Sequence, residues 1–349
     1  MVGPAARPRL FERSIRTIRA AQPDAGGYIA CPPYPTYHYV WARDGAFIAE
    51  AMRSVGEVDS ALAFHRFLAR AVLAIAPADG SVPPMLPARF EVDGGLDESG
   101  WPNFQTDGYG LWLWALARYA GGGALDVEVE RAALLAARYL CTRWQDPCHD
   151  PWEEGGDRLP TATLAASVAG LRAAGTLFGH GPWTAQATEA WRLLGGRGVI
   201  DGRLVKDVGL AGGVDAATLW ALAPLGLFTP DDPVHAATLG EVEGRLAAPN
   251  VHRHPDDVYY GGGAWPLLAA MWGLARLAGG DAVAARDALA WIESTATPDG
   301  DLPEQVARPM LHPEGWAPWL AERGPVATPL TWSHAMYLLL AVGLDTAGM

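Results

Sequence analysis

The chain has 349 residues, half of them hydrophobic, and a formal net charge of −13. That composition supports a large buried core and argues against nucleic acid or an anionic membrane as partner, because both need basic patches. The three cysteines, Cys31, Cys141 and Cys148, are too few and too irregular for a disulfide framework or a zinc site and fit a reducing compartment.

The predicted elements, in chain order, are helices over 6–21, 44–56, 59–76, 107–120, 126–144, 159–178, 183–195, 213–224, 233–247, 262–278, 281–295 and 331–343. Each is an Ala- and Leu-rich segment with helical periodicity, and almost nothing alternates as a strand does. The links after the second, fourth, sixth and tenth helices are short, such as "GE" at 56–57 and "GG" at 279–280. Those after the odd-numbered helices are mostly long, notably 77–106 and 296–330. Long loops in compact domains are usually functional. If successive helices run antiparallel, every long loop reaches the same end. The expected fold is therefore all-α, an (α/α)6 barrel of twelve helices in six hairpins, with the site at the mouth. No linker interrupts 1–349, so one domain is expected.

The flanks add two expectations. "MVGPAARPRLFERSIRTIRA" lacks the apolar segment of a signal peptide. "MYLLLAVGL" is too short to span a bilayer. A soluble cytoplasmic protein follows from this reading.

Five stretches of polar and aromatic residues fall in the long loops: "YHYVWARD" (37–44), "SGWPNFQTDGYG" (99–110), "DPWEEGGD" (150–157), "HRHPDDVYYGGGAW" (252–265) and "DGDLPEQV" (299–306). Glu153 follows a tryptophan, and an apolar ring against a carboxylate raises its pKa. A carboxyl kept protonated near neutral pH serves as a general acid. Its partner should be an ionised carboxylate across the pocket, and Glu304 in "LPEQV" is the best placed. Arg43 and Asp44 adjoin at a helix start, where Asp is a routine N-cap. They equally suit a clamp that holds sugar hydroxyls by charge-assisted hydrogen bonds. Asp107 has the same two readings. Trp41, Trp101, Trp152 and Trp265 could close a core, but four indoles in one set of loops favour a stacking wall. "HRH" at 252–254 lacks a supporting metal-ligand pattern, and "GGG" at 261–263 lacks the lysine and strand of a phosphate loop. No metal or cofactor is expected.

Together these stretches resemble glycoside hydrolase family 15, the glucoamylase family. "YHYVWARD" is similar to its Tyr-x-Tyr-x-Trp-x-Arg-Asp segment, and "GWPNFQTDGYG" to its Trp-containing loop. "PWEE" resembles the segment whose first glutamate is the general acid. "HRHPDDVYYGGGAW" is similar to a sugar-binding stretch that carries an arginine and a tryptophan. "LPEQV" followed by "TPLTWSHA" resembles the segment of the general base.

The resemblance implies an exo-acting, inverting hydrolase that releases β-D-glucose from the non-reducing end of an α-gluco-oligosaccharide, of isomaltose-type α-1,6 or malto-type α-1,4 linkage. Glu153 would be the acid and Glu304 the base. Tyr37, Trp41, Arg43 and Asp44 would hold the terminal glucose, Glu154 the first or second sugar, and Arg253 and Trp265 further sugar contacts. The chain shows neither the N-terminal β-sandwich of many prokaryotic relatives nor a starch-binding module, which favours short oligosaccharides. The rival readings are a trehalase or another (α/α)6 sugar enzyme, such as an epimerase, and a non-catalytic oligosaccharide-binding protein. The presence of both glutamates in their motifs argues against the other (α/α)6 chemistries.

Overall fold

The computed structural model describes residues 6–348; the expectation drawn from the first five residues lies outside them. Thirteen α-helices occur among the described residues: α1 (Ala6–Ala20), α2 (Ala42–Ser54), α3 (Val58–Ala74), α4 (Asp107–Ala120), α5 (Val127–Arg143), α6 (Thr161–Phe178), α7 (Pro182–Leu193), α8 (Leu219–Leu222), α9 (Pro233–Leu246), α10 (Pro266–Ala278), α11 (Ala282–Thr295), α12 (Trp316–Arg323) and α13 (Thr331–Ala347). The helices α2, α4, α6, α8, α10 and α13 pack side by side in that order, and α13 closes the ring on α2. Around it, α1 packs on α13, α3 on α2, α5 and α7 on α6, α9 on α8, and α11 on α10. This is the expected (α/α)6 arrangement.

Sequence explains which helices are inside. A helix apolar on all sides must be buried, and α6, "TATLAASVAGLRAAGTLF", is buried continuously from Thr161 to Leu171. Small residues let the inner helices approach closely. A Cβ on Gly170 would stand 2.5 Å from Gly110 Cα, and one on Gly110 would stand 2.3 Å from the Ala166 carbonyl oxygen. The outer helices carry one buried stripe instead: in α11 only Ala285, Ala288, Leu289 and Ile292 are buried. One apolar cluster runs from Leu10 to Leu344.

Four expectations need correction. The helix expected over 213–224 shrinks to a 3-10 turn at Ala216–Thr218 followed by α8. Asp215 caps that turn, accepting the Ala217 N–H at 2.8 Å, and Pro224 lies just beyond its end. The helix expected over 262–278 starts only at Pro266, because Gly262 lies at φ 64° and a proline favours the first helical position. The stretch 296–330 is not all loop, since it carries α12, whose Pro318 is tolerated in the first turn. Six short strands also form: β1 (Val40–Trp41), β2 (Arg89–Phe90), β3 (Val199–Ile200), β4 (Arg203–Leu204), β5 (Gly263–Ala264) and β6 (Val306–Met310). They pair antiparallel as β1–β2, β3–β4 and β5–β6; the first and last pairs fasten one loop to another, and β3–β4 is a local hairpin. No helix among the described residues is long and apolar enough to cross a membrane.

Candidate active site

The N-termini of α2, α10 and α13 open on a cavity of about 370 Å³, within the range of small-molecule sites, roughly 300–1,000 Å³. Helix N-termini carry partial positive charge, so acids are favoured there. Its walls include Tyr37, Trp41, Arg43, Asp44, Trp101, Trp152, Glu153, Glu154, Arg253, Trp265 and Glu304. Of the residues singled out from sequence, Asp107 alone is off the wall. It is buried behind Arg43, 3.0 Å from Nη1.

Arg43 gathers the acidic groups of three loops. Its Nη1 donates to Gln105 Oε1 at 2.7 Å and to Asp107 Oδ2 at 3.0 Å. Asp44 Oδ1 and Glu153 Oε1 each lie 3.6 Å from its guanidinium. Neither aspartate is an N-cap: the caps are Trp41 for α2 and Thr106 for α4, and Asp44 and Asp107 sit in the first turns. Burial, with Glu153 and Asp107 adding to it against the pull of Arg43, pushes the Asp44 carboxyl up to about 7.

Glu153 sits in the left-handed backbone region at φ 70°, a conformation that costs a side-chain-bearing residue about 1–3 kcal/mol and clusters at functional sites. Its Oε1 accepts the Trp41 indole N–H at 2.6 Å and the Gln105 amide at 3.3 Å. The ring expected against Glu153 was Trp152, but the Trp152 N–H goes to Asp215 instead. Trp41 reaches Glu153 because β1 pairs with β2, and Arg89 of β2 stacks under Tyr39 and Trp101 at 3.9 Å from each ring centre.

Glu304 is 2% exposed, and its Oε2 has no hydrogen-bond partner among the described residues. Ser333 Oγ donates to the Pro303 carbonyl at 2.8 Å, and the Leu302 N–H donates to His334 Nε2 at 3.0 Å. These bonds fix the loop to the start of α13. Because Nε2 accepts, Nδ1 carries the His334 proton and faces Ser14 Oγ at 2.9 Å. Burial pushes the Glu304 carboxyl up to about 8, against the hydroxyls of Tyr37 and Tyr259 and the charge of Arg253. A general base must be ionised, whereas the cavity walls favour the neutral form because they desolvate the carboxyl. Tyr37 and Tyr259 join through their hydroxyls at 2.9 Å.

Arg253 is clamped between Asp257 and Glu154, its Nη2 lying 3.2 Å from Glu154 Oε1. Its guanidinium lies 5.1–5.4 Å from the ring centres of Tyr259, Trp152 and Trp265. Desolvation works against ionisation of Glu154, but the His254 hydrogen bond and the charge of Arg253 hold it down at about 2. Glu154, His254 and Asp257 bring donor atoms within 4.8 Å of one another, yet Glu154 and Asp257 already pair with the Arg253 guanidinium and His254 with Glu154. Further unpartnered donors are buried in the cavity walls, the indole N–H groups of Trp101, Trp265 and Trp332. Buried polar atoms without partners are costly, about 1–3 kcal/mol each, and mark a site shaped for a polar ligand.

Sequence reasoning did not single out Tyr259, Trp332, Trp319 or Arg323, which also line the cavity, or Asp257 behind it. Tyr259 and Asp257 lie in the quoted stretch "HPDDVYYGGG", and Trp332 in "TPLTWSHA"; aromatic and acidic residues inside an already chosen stretch were the available signal. Trp319 and Arg323 belong to α12 and left none.

The central place of Arg43 changes what its replacement should do. Arg43→Ala would leave Asp44, Asp107 and Glu153 without a buried counter-charge, so it should destabilise the fold by about 3–5 kcal/mol. Asp44→Asn is the cleaner probe. The folded value of Asp44 lies above its unfolded one of 3.8, so its charge costs stability increasingly as pH rises from about 4 through about 7, and an amide carries no such cost. At pH 7 the variant should melt at or above the native temperature while kcat/KM falls by about 1.5–3 kcal/mol, the worth of a hydrogen bond to a charged group. A lower melting temperature with intact kcat/KM would assign Asp44 to structure instead.

Known proteins bear on this geometry. The family described as "Glycosyl hydrolases family 15" matches residues 89–296. An isomaltose glucohydrolase of Kribbella flavida is 41% identical over 358 residues, covering 96% of this chain and 93% of that protein. A solved glycosidase structure in complex with glucose superposes with a TM-score of 0.88 at 39% identity, covering 98% of this chain and 97% of the other. A bacterial glucoamylase complexed with acarbose shares the fold, with a TM-score of 0.74 at 22% identity, and this chain covers 55% of its length. A helical ring whose mouth collects two glutamates, a buried arginine cluster and an indole wall is thus matched along nearly its whole length, and the chain belongs to glycosyl hydrolases family 15 and is a glycoside hydrolase.

Proposed function

We propose that the protein is an exo-acting, inverting α-glucoside hydrolase that releases β-D-glucose from the non-reducing end of short α-gluco-oligosaccharides, with α-1,6 linkages preferred. The observation that carries this reading is that Glu153 and Glu304, from loops far apart in sequence, face one cavity walled by indoles and arginines. Glu153 gives its proton to the glycosidic oxygen as the C1–O bond breaks. Glu304 takes a proton from a water that attacks C1 on the opposite face, so one bond forms as the other breaks and the anomeric configuration inverts. Arg43, Asp44 and Trp41 hold the terminal glucose, and Glu154, Arg253 and the Trp152–Trp265 pair flank the next sugar. The lean to α-1,6 rests on the isomaltose glucohydrolase relative. Residues 1–349 act as one catalytic domain. The three unpaired cysteines suit a reducing compartment such as the cytoplasm.

The test is a panel of isomaltose, maltose, panose, kojibiose, nigerose and trehalose, with the anomer of the released glucose recorded. Isomaltose should be cut fastest and β-glucose should appear first. Initial release of α-glucose would overturn inversion, fastest cleavage of trehalose would make the enzyme a trehalase, and no release from any member would leave a sugar-binding protein. A cavity of about 370 Å³ suits a terminal glucose and a neighbour, so kcat/KM should not climb from two to seven glucose units; a steady climb would require an extended groove.

A further inference from the structure

Outside the cavity wall, behind the loop that carries Glu153, lies an ion cluster. Lys206 Nζ stands 3.5 Å from Asp150 Oδ2 and 3.4 Å from Asp215 Oδ2. Of the 26 basic side chains, Lys206 is the single lysine. Its compact ammonium sits between carboxylates of two segments distant in sequence.

Both carboxylates lead to the loop. Asp150 Oδ1 accepts the backbone N–H groups of Trp152 and Glu154, each at 2.9 Å. The Asp150 carbonyl accepts the Glu153 N–H at 2.9 Å, and its own N–H donates to the Glu154 carbonyl at 3.0 Å. Asp150 therefore closes the turn in which Glu153 is held at positive φ. Asp215 accepts the Trp152 indole N–H with both oxygens, each at 3.0 Å. The backbone of Lys206 is itself fixed: its carbonyl accepts the Thr161 N–H at 2.9 Å, and its N–H donates to the Gly213 carbonyl at 3.0 Å. The ammonium thus joins the loop of Glu153 to the turn before α8, while the Lys206 backbone holds the start of α6. Without it, two buried carboxylates would face each other, and each would seek other partners. Burial and then Asp215 already push Asp150 up to about 6, with Lys206 opposing them.

We propose that Lys206 is a positioning residue for the hydrolysis, holding the turn through Asp150 and Trp152 through Asp215 so that the Glu153 carboxyl is aimed at the glycosidic oxygen. This rests on the reading of Glu153 as the general acid. A residue that acts through the acid must lose its importance when the leaving group needs no proton, which a merely structural residue does not do.

Lys206→Met should therefore be assayed on the best disaccharide and on α-glucosyl fluoride, beside the native protein and Glu153→Gln. On the disaccharide kcat should fall roughly 10–100-fold with KM within about threefold, the scale of a misplaced reacting group. On the fluoride the loss should shrink to about threefold or less, since fluoride departs without general-acid help. Should Lys206→Met not fold, Asp215→Asn, which removes one of the two charges facing the ammonium, carries the same test with the same expected pattern. Equal losses on both substrates, or native kcat on both, overturn the proposal when Glu153→Gln still shows its leaving-group dependence. A Glu153→Gln variant without that dependence overturns the acid assignment itself.

Discussion

Glu304→Gln should lower kcat by about 100–10,000-fold, the scale of a lost general base, and at the same time make the protein more stable at pH 8 than the native one. The activity loss should be the same for every leaving group, because water must be activated whatever departs. The stability gain follows from linkage. Glu304 binds its proton more tightly in the folded protein, at about 8, than in the unfolded chain, at 4.5. Between those values the folded state holds more protons than the unfolded one, so stability falls as pH rises, by up to about 1.4 kcal/mol per unit. Below about 4 both states are protonated and the cost vanishes; above about 8 it is present in full. Glutamine carries none of it. The melting-temperature advantage of the variant should accordingly be small at pH 5 and grow to pH 8, and a constant advantage would mean that the Glu304 carboxylate is not strained. The same ionisation should set the acid limb of native kcat/KM, which should fall as pH drops below about 8.

Much of this site can be read in the sequence, for identifiable reasons. Inner helices such as α6 are apolar on all sides, so helical periodicity and loop length suffice to place their neighbours and to bring the long loops to one end. Within those loops, tryptophans and acids such as Trp41, Glu153 and Glu304 stand out because a Gly- and Pro-rich surface loop has no core reason to carry them.

What remained hidden depends on contacts between segments distant in sequence. That Trp41 rather than Trp152 reaches the Glu153 carboxyl follows from the pairing of Val40–Trp41 with Arg89–Phe90. The upward push on Glu304 depends on how completely its surroundings exclude water, which no local pattern encodes. The helix α12 was masked by Pro318, a residue that usually ends a helix but is harmless in its first turn. Lys206 sits in "RLVKDVGL", a segment with no pattern of its own, and becomes legible only when Asp150 and Asp215 are seen on either side.

Glu153→Gln should cut kcat on disaccharides by at least about 100-fold while leaving the fold intact. The amide oxygen can still accept the Trp41 indole N–H that the carboxylate accepts at 2.6 Å. Arg43 keeps Asp107 at 3.0 Å and Asp44 at 3.6 Å, so the buried guanidinium retains counter-charges and no new unpaired ion is created. What the variant loses is a proton that can travel to the glycosidic oxygen. A sugar alkoxide is a poor leaving group and needs that proton in the transition state; a nitrophenolate or a fluoride does not. The loss should therefore shrink strongly on p-nitrophenyl α-glucoside and α-glucosyl fluoride. Glu304→Gln serves as the contrast, because its loss has no reason to depend on the leaving group. Should both variants respond alike to leaving-group quality, the acid and the base have been exchanged or misplaced, and the cavity would have to be searched again, beginning with Asp44, whose carboxyl burial pushes up to about 7 beside the same arginine.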